Sequence, residues 1–229
     1  MVLIAGPGTE ILDLVGPFQV FTRAAEMFTS QNPRSLPIYS VEVVTTSPRT
    51  SVVTNCGLRI AAHKTFRRVR GEIDTLLIAG GSAIENDEIG PEVVQWIKKV
   101  AGGIRRIGSV CTGALLLARA GLLDGRKVTT HWRWCELLAK KCPRADVDPN
   151  PIFIRDGSVY TSAGLPQEWT WLWLSWKKTM ARGWRCRWLA TSCFTCAAPE
   201  GSRNLALLYP CNSLTENRCA NWSHGCSTT

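Results

Sequence analysis

Short, densely apolar runs alternate along this chain with longer stretches whose apolar positions recur every three to four residues. MVLIA reads as a strand that runs into the turn at Gly6, Pro7 and Gly8. ILDLVGPFQVFTRAAEMF carries helical spacing with a Gly-Pro step near its start. YSVEVVTTS reads as a strand and GLRIAAH as a shorter one. IDTLLIAGG is a buried strand ending in a glycine pair, and PEVVQWIKKVA is an amphipathic helix. RRIGSV reads as a strand, TGALLLARAG as a helix closed by Gly121, and RKVTTH as another strand. After a loop rich in Pro and Asp, PIFIRDGSVYTSAG reads as a hairpin turning at Asp156 and Gly157. Strands alternating with helices predict an α/β fold, a doubly wound and mostly parallel sheet covered by helices on both faces.

Composition changes the picture at one place, near Gly164. The first 164 residues hold 3 Trp and 4 Cys, whereas the last 65 hold 7 Trp and 6 Cys and sustain neither period. The chain therefore divides into a predicted domain over 1–164 and an aberrant tail over 165–229. In the whole chain 45% of residues are apolar and 20% charged, ordinary for a protein with a sizeable core. The net charge of +9 hints at nucleic acid, but it is spread as 20 Lys/Arg against 15 Asp/Glu before residue 165 and 7 against 3 after it. Clusters such as FRRVR and IRRI are no longer than ordinary solvated faces. The apolar opening MVLIAG is too short to span a membrane and lacks a basic flank, so a cytoplasmic protein with no membrane partner is expected.

The sharpest chemical signal is IRRIGSVCTGALLLARAGLLDG. Cys111 falls between a strand and an Ala/Leu-rich helix, with small residues Ser109 and Gly113 two positions to either side. This is the cysteine version of the small-x-nucleophile-x-small elbow, where a tight turn lifts a side chain above the sheet and leaves no room for bulk beside it. The following helix N-terminus favours a thiolate, and its backbone N–H groups favour a developing oxyanion. A buried structural cysteine is the alternative.

IDTLLIAGG, SVCTGALLLARAGLLDGRKVTTHW and VDPNPIFIRDGSVYTSAG, with ILDLVGPFQVF before them, resemble the PfpI/ThiJ domain of the class I glutamine amidotransferase-like superfamily, of flavodoxin-like architecture. Two branches share these blocks: isonitrile hydratase-like enzymes, and the amidase-like N-terminal domains of GlxA-type AraC regulators, which the last block resembles more. The resemblance makes Cys111 the nucleophile and Asp13 the acidic partner that protonates or hydrogen-bonds it. It makes Gly80 and Gly81 the turn whose N–H faces the nucleophile, completing an oxyanion site with the Thr112 N–H. The superfamily's hydrolases often place a histidine directly after the cysteine; here Thr112 stands there. His131, after the strand KVTT, is the alternative histidine, expected either to line the ligand pocket or to act as a structural cap. The resemblance further implies a small-molecule ligand, a homodimer, no cofactor and no metal. DNA is expected as a partner only of an intact full-length relative.

After Gly164 the family continues with a helix resembling Val-Thr-Ala-Gly-Met-Asp-Leu-Ala-Leu-Ala, where this chain reads LPQEWTWLWLSWKK. Trp has the single codon TGG, so a frame that splits it between its two Gs ends the earlier codon in TG, which here encodes Met, Val or Leu. Back-translation of Glu168 to Trp173 in that frame permits the family helix. Trp176 to Ala181 permits Leu-Glu-Glu-Asp-His-Gly, and Cys196 to Leu205 permits an Arg-Arg-Pro-Gly-Gly linker of the regulator type. A single-base deletion just after Gly164 accounts for all three. Read instead as a metal site, the pair Cys193 and Cys196 with Cys211, Cys219, His224 and Cys226 matches no common zinc spacing.

Overall fold

The computed structural model describes residues 1–31, 34 and 39–164. The tail assigned to 165–229, with its frame-shifted reading and its cysteine pair, lies outside the described residues.

The strands are β1 (Val2–Ala5), β2 (Glu42–Thr45), β3 (Ser51–Val53), β4 (Arg59–Ala61), β5 (Lys64–Thr65), β6 (Thr75–Ile78), β7 (Arg106–Val110), β8 (Lys127–Val128), β9 (Asp146–Val147), β10 (Phe153–Asp156) and β11 (Val159–Ser162). The helices are α1 (Ile11–Gln31), α2 (Ser82–Glu85), α3 (Pro91–Ala101), α4 (Gly113–Arg119) and α5 (Cys135–Lys141). Seven strands form the central sheet in the order β10-β11-β7-β6-β1-β2-β5, parallel throughout except where β10 returns antiparallel to β11. This is the doubly wound sheet the alternation predicts.

The inner strands are buried on both faces, as in a sheet covered on both sides. Every residue of β1, β6 and β7 is buried. In α3 the apolar stripe buries Val93 and Ile97 at 1% and 0% exposure, a gain of about 1.5–3 kcal/mol for each side chain. α4 is almost wholly interior, with Gly113 through Leu117 buried. A methyl at Gly113 would lie 2.3 Å from the Ile78 carbonyl oxygen, so only glycine lets α4 seat against β6.

Two local expectations need correction. RKVTTH contributes only Lys127 and Val128 as a strand, and β8 pairs with β9 outside the central sheet. The ladder stops because the Thr129 N–H donates to Thr161 Oγ1 at 2.9 Å instead of to a strand carbonyl. The segment read as a Pro- and Asp-rich loop contains α5, which enters through a 3-10 turn at Trp132–Trp134 capped by a histidine ring. None of the usual Ser, Thr, Asp or Asn caps announces it.

Candidate functional site

From β1 the chain passes to β2 and β5 on one side, then returns to β6, β7 and β11 on the other. The carboxyl ends of β1 and β6 therefore flank a reversal of strand order, the place where doubly wound sheets bind ligands. Three loops leave the sheet there. The loop after β1 leads to Asp13 in the first turn of α1, β6 ends in Gly80 and Gly81, and β7 ends at Cys111 and Thr112.

Cys111 has φ +52°, one of two non-glycine residues with positive φ among the described residues. That left-handed conformation costs about 1–2 kcal/mol for a residue with a Cβ, and local bonds hold it. The Cys111 N–H donates to the Ser162 carbonyl at 3.1 Å, and the Cys111 carbonyl accepts from Thr130 Oγ1 at 2.7 Å. Its side chain is partly exposed, whereas Cys135 and Cys142 are buried and burial pushes both of their thiols up. Cys56, exposed on the β3–β4 hairpin, is lowered by a hydrogen bond with Thr54.

Asp13, Gly80, Gly81 and Thr112 form one buried set beside that cysteine. Asp13 is 1% exposed and Thr112 0%. The Gly80 N–H donates to Asp13 Oδ2 at 3.1 Å, and the Gly81 N–H donates to Thr112 Oγ1 at 3.0 Å. A Cβ at Gly80 would lie 2.7 Å from Asp13 Oδ2, 2.9 Å from Thr112 Oγ1 and 3.0 Å from Cys111 Cβ. Thus the four residues singled out around Cys111 meet at one point, and Gly80 is the space between them. Both glycine amides expected to serve an oxyanion are already donating to side chains. Gly81, at φ +157°, is extended; it is glycine because a Cβ would lie 2.6 Å from the Gly8 carbonyl oxygen.

His131 follows the residue that bonds the Cys111 carbonyl. Its Nδ1 accepts from the Arg133 N–H at 3.4 Å, and its ring lies 5.6 Å from that of Trp132. Burial, then the charge of Arg133, holds its pKa below the usual histidine value against an opposing pull from Glu85. The ring thus accepts at the N-terminus of the 3-10 turn at Trp132–Trp134.

Sequence reasoning missed Thr130 and Ser162, which bond the Cys111 backbone, and the contact of Gly164. A Cβ on Gly164, at φ +99°, would lie 3.3 Å from the Cys111 sulfur. A hydroxyl that ends a strand and a glycine that ends a hairpin carry no pattern by which to be noticed. Two surface clefts lie elsewhere, one of about 410 Å³ beside Thr46, Thr65 and Arg67, the other of about 680 Å³ beside Phe18, Glu26 and Tyr39. Among the described residues no helix is long and apolar enough to cross a membrane, and no cluster of three metal-ligating side chains occurs.

Comparison with known proteins places this arrangement. A protein encoded in the cpoL 5′ region of Streptomyces lividans is 34% identical over 143 residues, 62% of this chain and 94% of that one. The isonitrile hydratase of Pseudomonas putida is 30% identical over 160 residues, 69% of this chain and 62% of that enzyme. The HTH-type transcriptional regulator CdhR of Pseudomonas aeruginosa is 39% identical over 74 residues, 32% of this chain and 22% of the regulator. The chain thus spans most of the first relative but less than two thirds of the other two. A crystal structure of a ThiJ/PfpI family protein from Pseudomonas syringae superposes with a TM-score of 0.72 at 21% identity, over 98% of this chain and 84% of that one. The DJ-1/PfpI family model matches residues 1–173. With that match over most of its length, and a cysteine turned out at the switch point of a doubly wound sheet, the chain belongs to the DJ-1/PfpI family.

Proposed function

We propose that residues 1–164 are the small-molecule-sensing domain of a helix-turn-helix regulator of the GlxA/AraC type, and that residues 165–229 are read out of frame. The observation that carries the sensing role is the engagement of the Gly80 and Gly81 amides by Asp13 and Thr112. The turn amides expected to form half of the oxyanion site are spent inside the protein, which suits a pocket that binds its ligand without consuming it. The regulator CdhR among the relatives supports the same reading. The ligand is held at Cys111, with Asp13 and Thr112 beneath it and His131 at the rim, and binding biases a cytoplasmic homodimer. Leu12, Val15, Val53 and Leu58 are exposed by 36–55% on the start of α1 and on the hairpin bonded to the loop before it, which supports a self-associating face. DNA is read only by the full-length form.

Two experiments test this. The nucleotide sequence after the Gly164 codon, read one base back, is expected to stay open through a helix-turn-helix module of about one hundred residues; early stops in that frame refute the regulator. The second separates the sensor from a cysteine-dependent hydratase, a reading favoured by the Pseudomonas putida relative and by the convergence of Asp13, Thr112 and the Cys111 Cβ on the space beside Gly80. In that reaction the Cys111 thiolate adds to the isonitrile carbon as Asp13 gives that carbon its proton, and water then adds to the thioimidate and expels the thiolate, returning a proton to Asp13 and leaving an N-substituted formamide. An alkyl isonitrile incubated with the chain and followed by proton NMR is expected to give no formamide. Formamide production that disappears in Cys111→Ala decides for the enzyme.

A further inference from the structure

Two threonines follow β8, and both are at 0% exposure. They differ in what their hydroxyls do. Thr129 Oγ1 makes a long 3.5 Å bond to the Thr130 carbonyl, while its backbone N–H bonds Thr161. Thr130 Oγ1 reaches across to the Cys111 carbonyl at 2.7 Å, among the shortest hydrogen bonds around the site. We infer that Thr130 is the positioning residue of the Cys111 thiol, its hydroxyl fixing the Cys111 carbonyl and so the left-handed turn that presents the sulfur. The inference rests on the reading of Cys111 as the functional thiol.

A residue with a Cβ keeps a positive φ only where its surroundings over-determine it. At Cys111 two bonds do so. The N–H bond to the Ser162 carbonyl simply extends the β7–β11 ladder by one residue and joins backbone to backbone. It would survive relaxation of φ, since it lies on the strand side of the turn. The bond from Thr130 acts on the far side, at the carbonyl whose direction changes when φ and ψ relax. It is also the one of the two made by a side chain. Thr130 is itself anchored: its carbonyl accepts from the Cys135 thiol at 3.7 Å, and His131 next to it caps the turn into α5. The hydroxyl is therefore held by α5 and holds the turn at Cys111.

The test uses the full 229-residue chain, labelled with iodoacetamide from pH 6 to 9 with mass-spectrometric assignment of each cysteine. Exposed Cys56 serves as internal reference, and buried Cys135 and Cys142 report unfolding. In Thr130→Val, which keeps the shape and loses the hydroxyl, Cys111 is expected to label at least threefold more slowly relative to Cys56, with a displaced pH profile. Cys135 and Cys142 should stay as slow as in the parent. Thr130→Ser should restore the rate, and Thr129→Val, equally buried, should leave it unchanged. A structural role alone gives the opposite signature: a lower melting temperature and faster labelling of Cys135, Cys142 and Cys111 together. That pattern overturns the inference, as does a Cys111 profile that Thr130→Val does not move. Should Cys111 of the parent chain label no faster than Cys135 and Cys142, the reading of Cys111 falls and the role of Thr130 with it.

Discussion

Gly80→Ala adds one methyl group at the point where the site residues converge. Gly80 does not need glycine for its backbone, since its φ lies outside the left-handed range, so the effect of the methyl is steric alone. The new carbon would stand 2.7 Å from Asp13 Oδ2 and 2.9 Å from Thr112 Oγ1, distances that a real Cβ does not keep, and 3.0 Å from Cys111 Cβ. Asp13 and Thr112 are buried at 1% and 0% and cannot swing into solvent. Overpacking of this kind costs about 1–3 kcal/mol. Displacing the two acceptors also weakens the Gly80 and Gly81 N–H bonds, each worth about 0.5–1.5 kcal/mol net. The expected loss is thus about 2–6 kcal/mol. Urea denaturation of parent and variant measures it as a lower midpoint at unchanged slope. Gly102→Ala is the matched control: its φ is −63° and a Cβ there meets nothing within 4 Å, so its stability should change by less than about 1 kcal/mol. If Gly80→Ala unfolds at the same urea concentration as Gly102→Ala, the residues do not converge on Gly80 as described.

Two further predictions concern protons. Burial pushes the Asp74 carboxyl up, but hydrogen bonds from Arg105 and Thr75 and the charges of Arg105 and Arg106 outweigh it and hold the pKa at about 2. Folded Asp74 therefore loses its proton more readily than unfolded, so its stabilisation is complete above the ordinary value of 3.8 and is lost as pH falls toward 2. The stability gap between the parent and Asp74→Asn should close over that interval, and a gap constant from pH 5 to 2 refutes the assignment. His131, lowered by burial and Arg133, should titrate below 6.5 by NMR and be neutral at pH 7. Its contribution is present above 6.5 and lost as pH falls through the folded value, and titration at or above 6.5 contradicts a ring desolvated beside Arg133.

Much of this architecture was legible because the inner strands that build it are buried on both faces and the helices between them are amphipathic. IDTLLIAGG, RRIGSV and the hairpin at Asp156 and Gly157 fall where the alternation puts them. The sharp turn at Cys111 was legible for a steric reason: small residues at 109 and 113 mark a place that tolerates no bulk, and a Cβ on Gly113 would lie 2.3 Å from the Ile78 carbonyl oxygen. α5 escaped notice because it has two turns and no side-chain cap of its own, the histidine capping only the 3-10 turn before it. Thr129 and Thr130 read as strand because β-branched residues favour strands, although their amide and hydroxyl groups serve Thr161 and Cys111. The engagement of the Gly80 and Gly81 amides could not be read from the chain, because it depends on where Asp13 and Thr112 arrive in space.

The bond from the Cys111 N–H to the Ser162 carbonyl also has a consequence for biosynthesis. It ties the turn at Cys111 to β11, the last strand among the described residues, whose Ser162 is made 51 residues later. At about 5–20 residues per second, a ribosome takes about 3–10 s to add that stretch. Throughout that interval the nascent chain carries Cys111 without the acceptor that anchors its backbone, and β7 with an unpaired edge where β11 will dock. Cotranslational oxidation or alkylation of the thiol during this delay would strike a cysteine not yet held in its turn. Anchoring of the Cys111 backbone is thus timed by the arrival of β11, and not by the appearance of the cysteine itself.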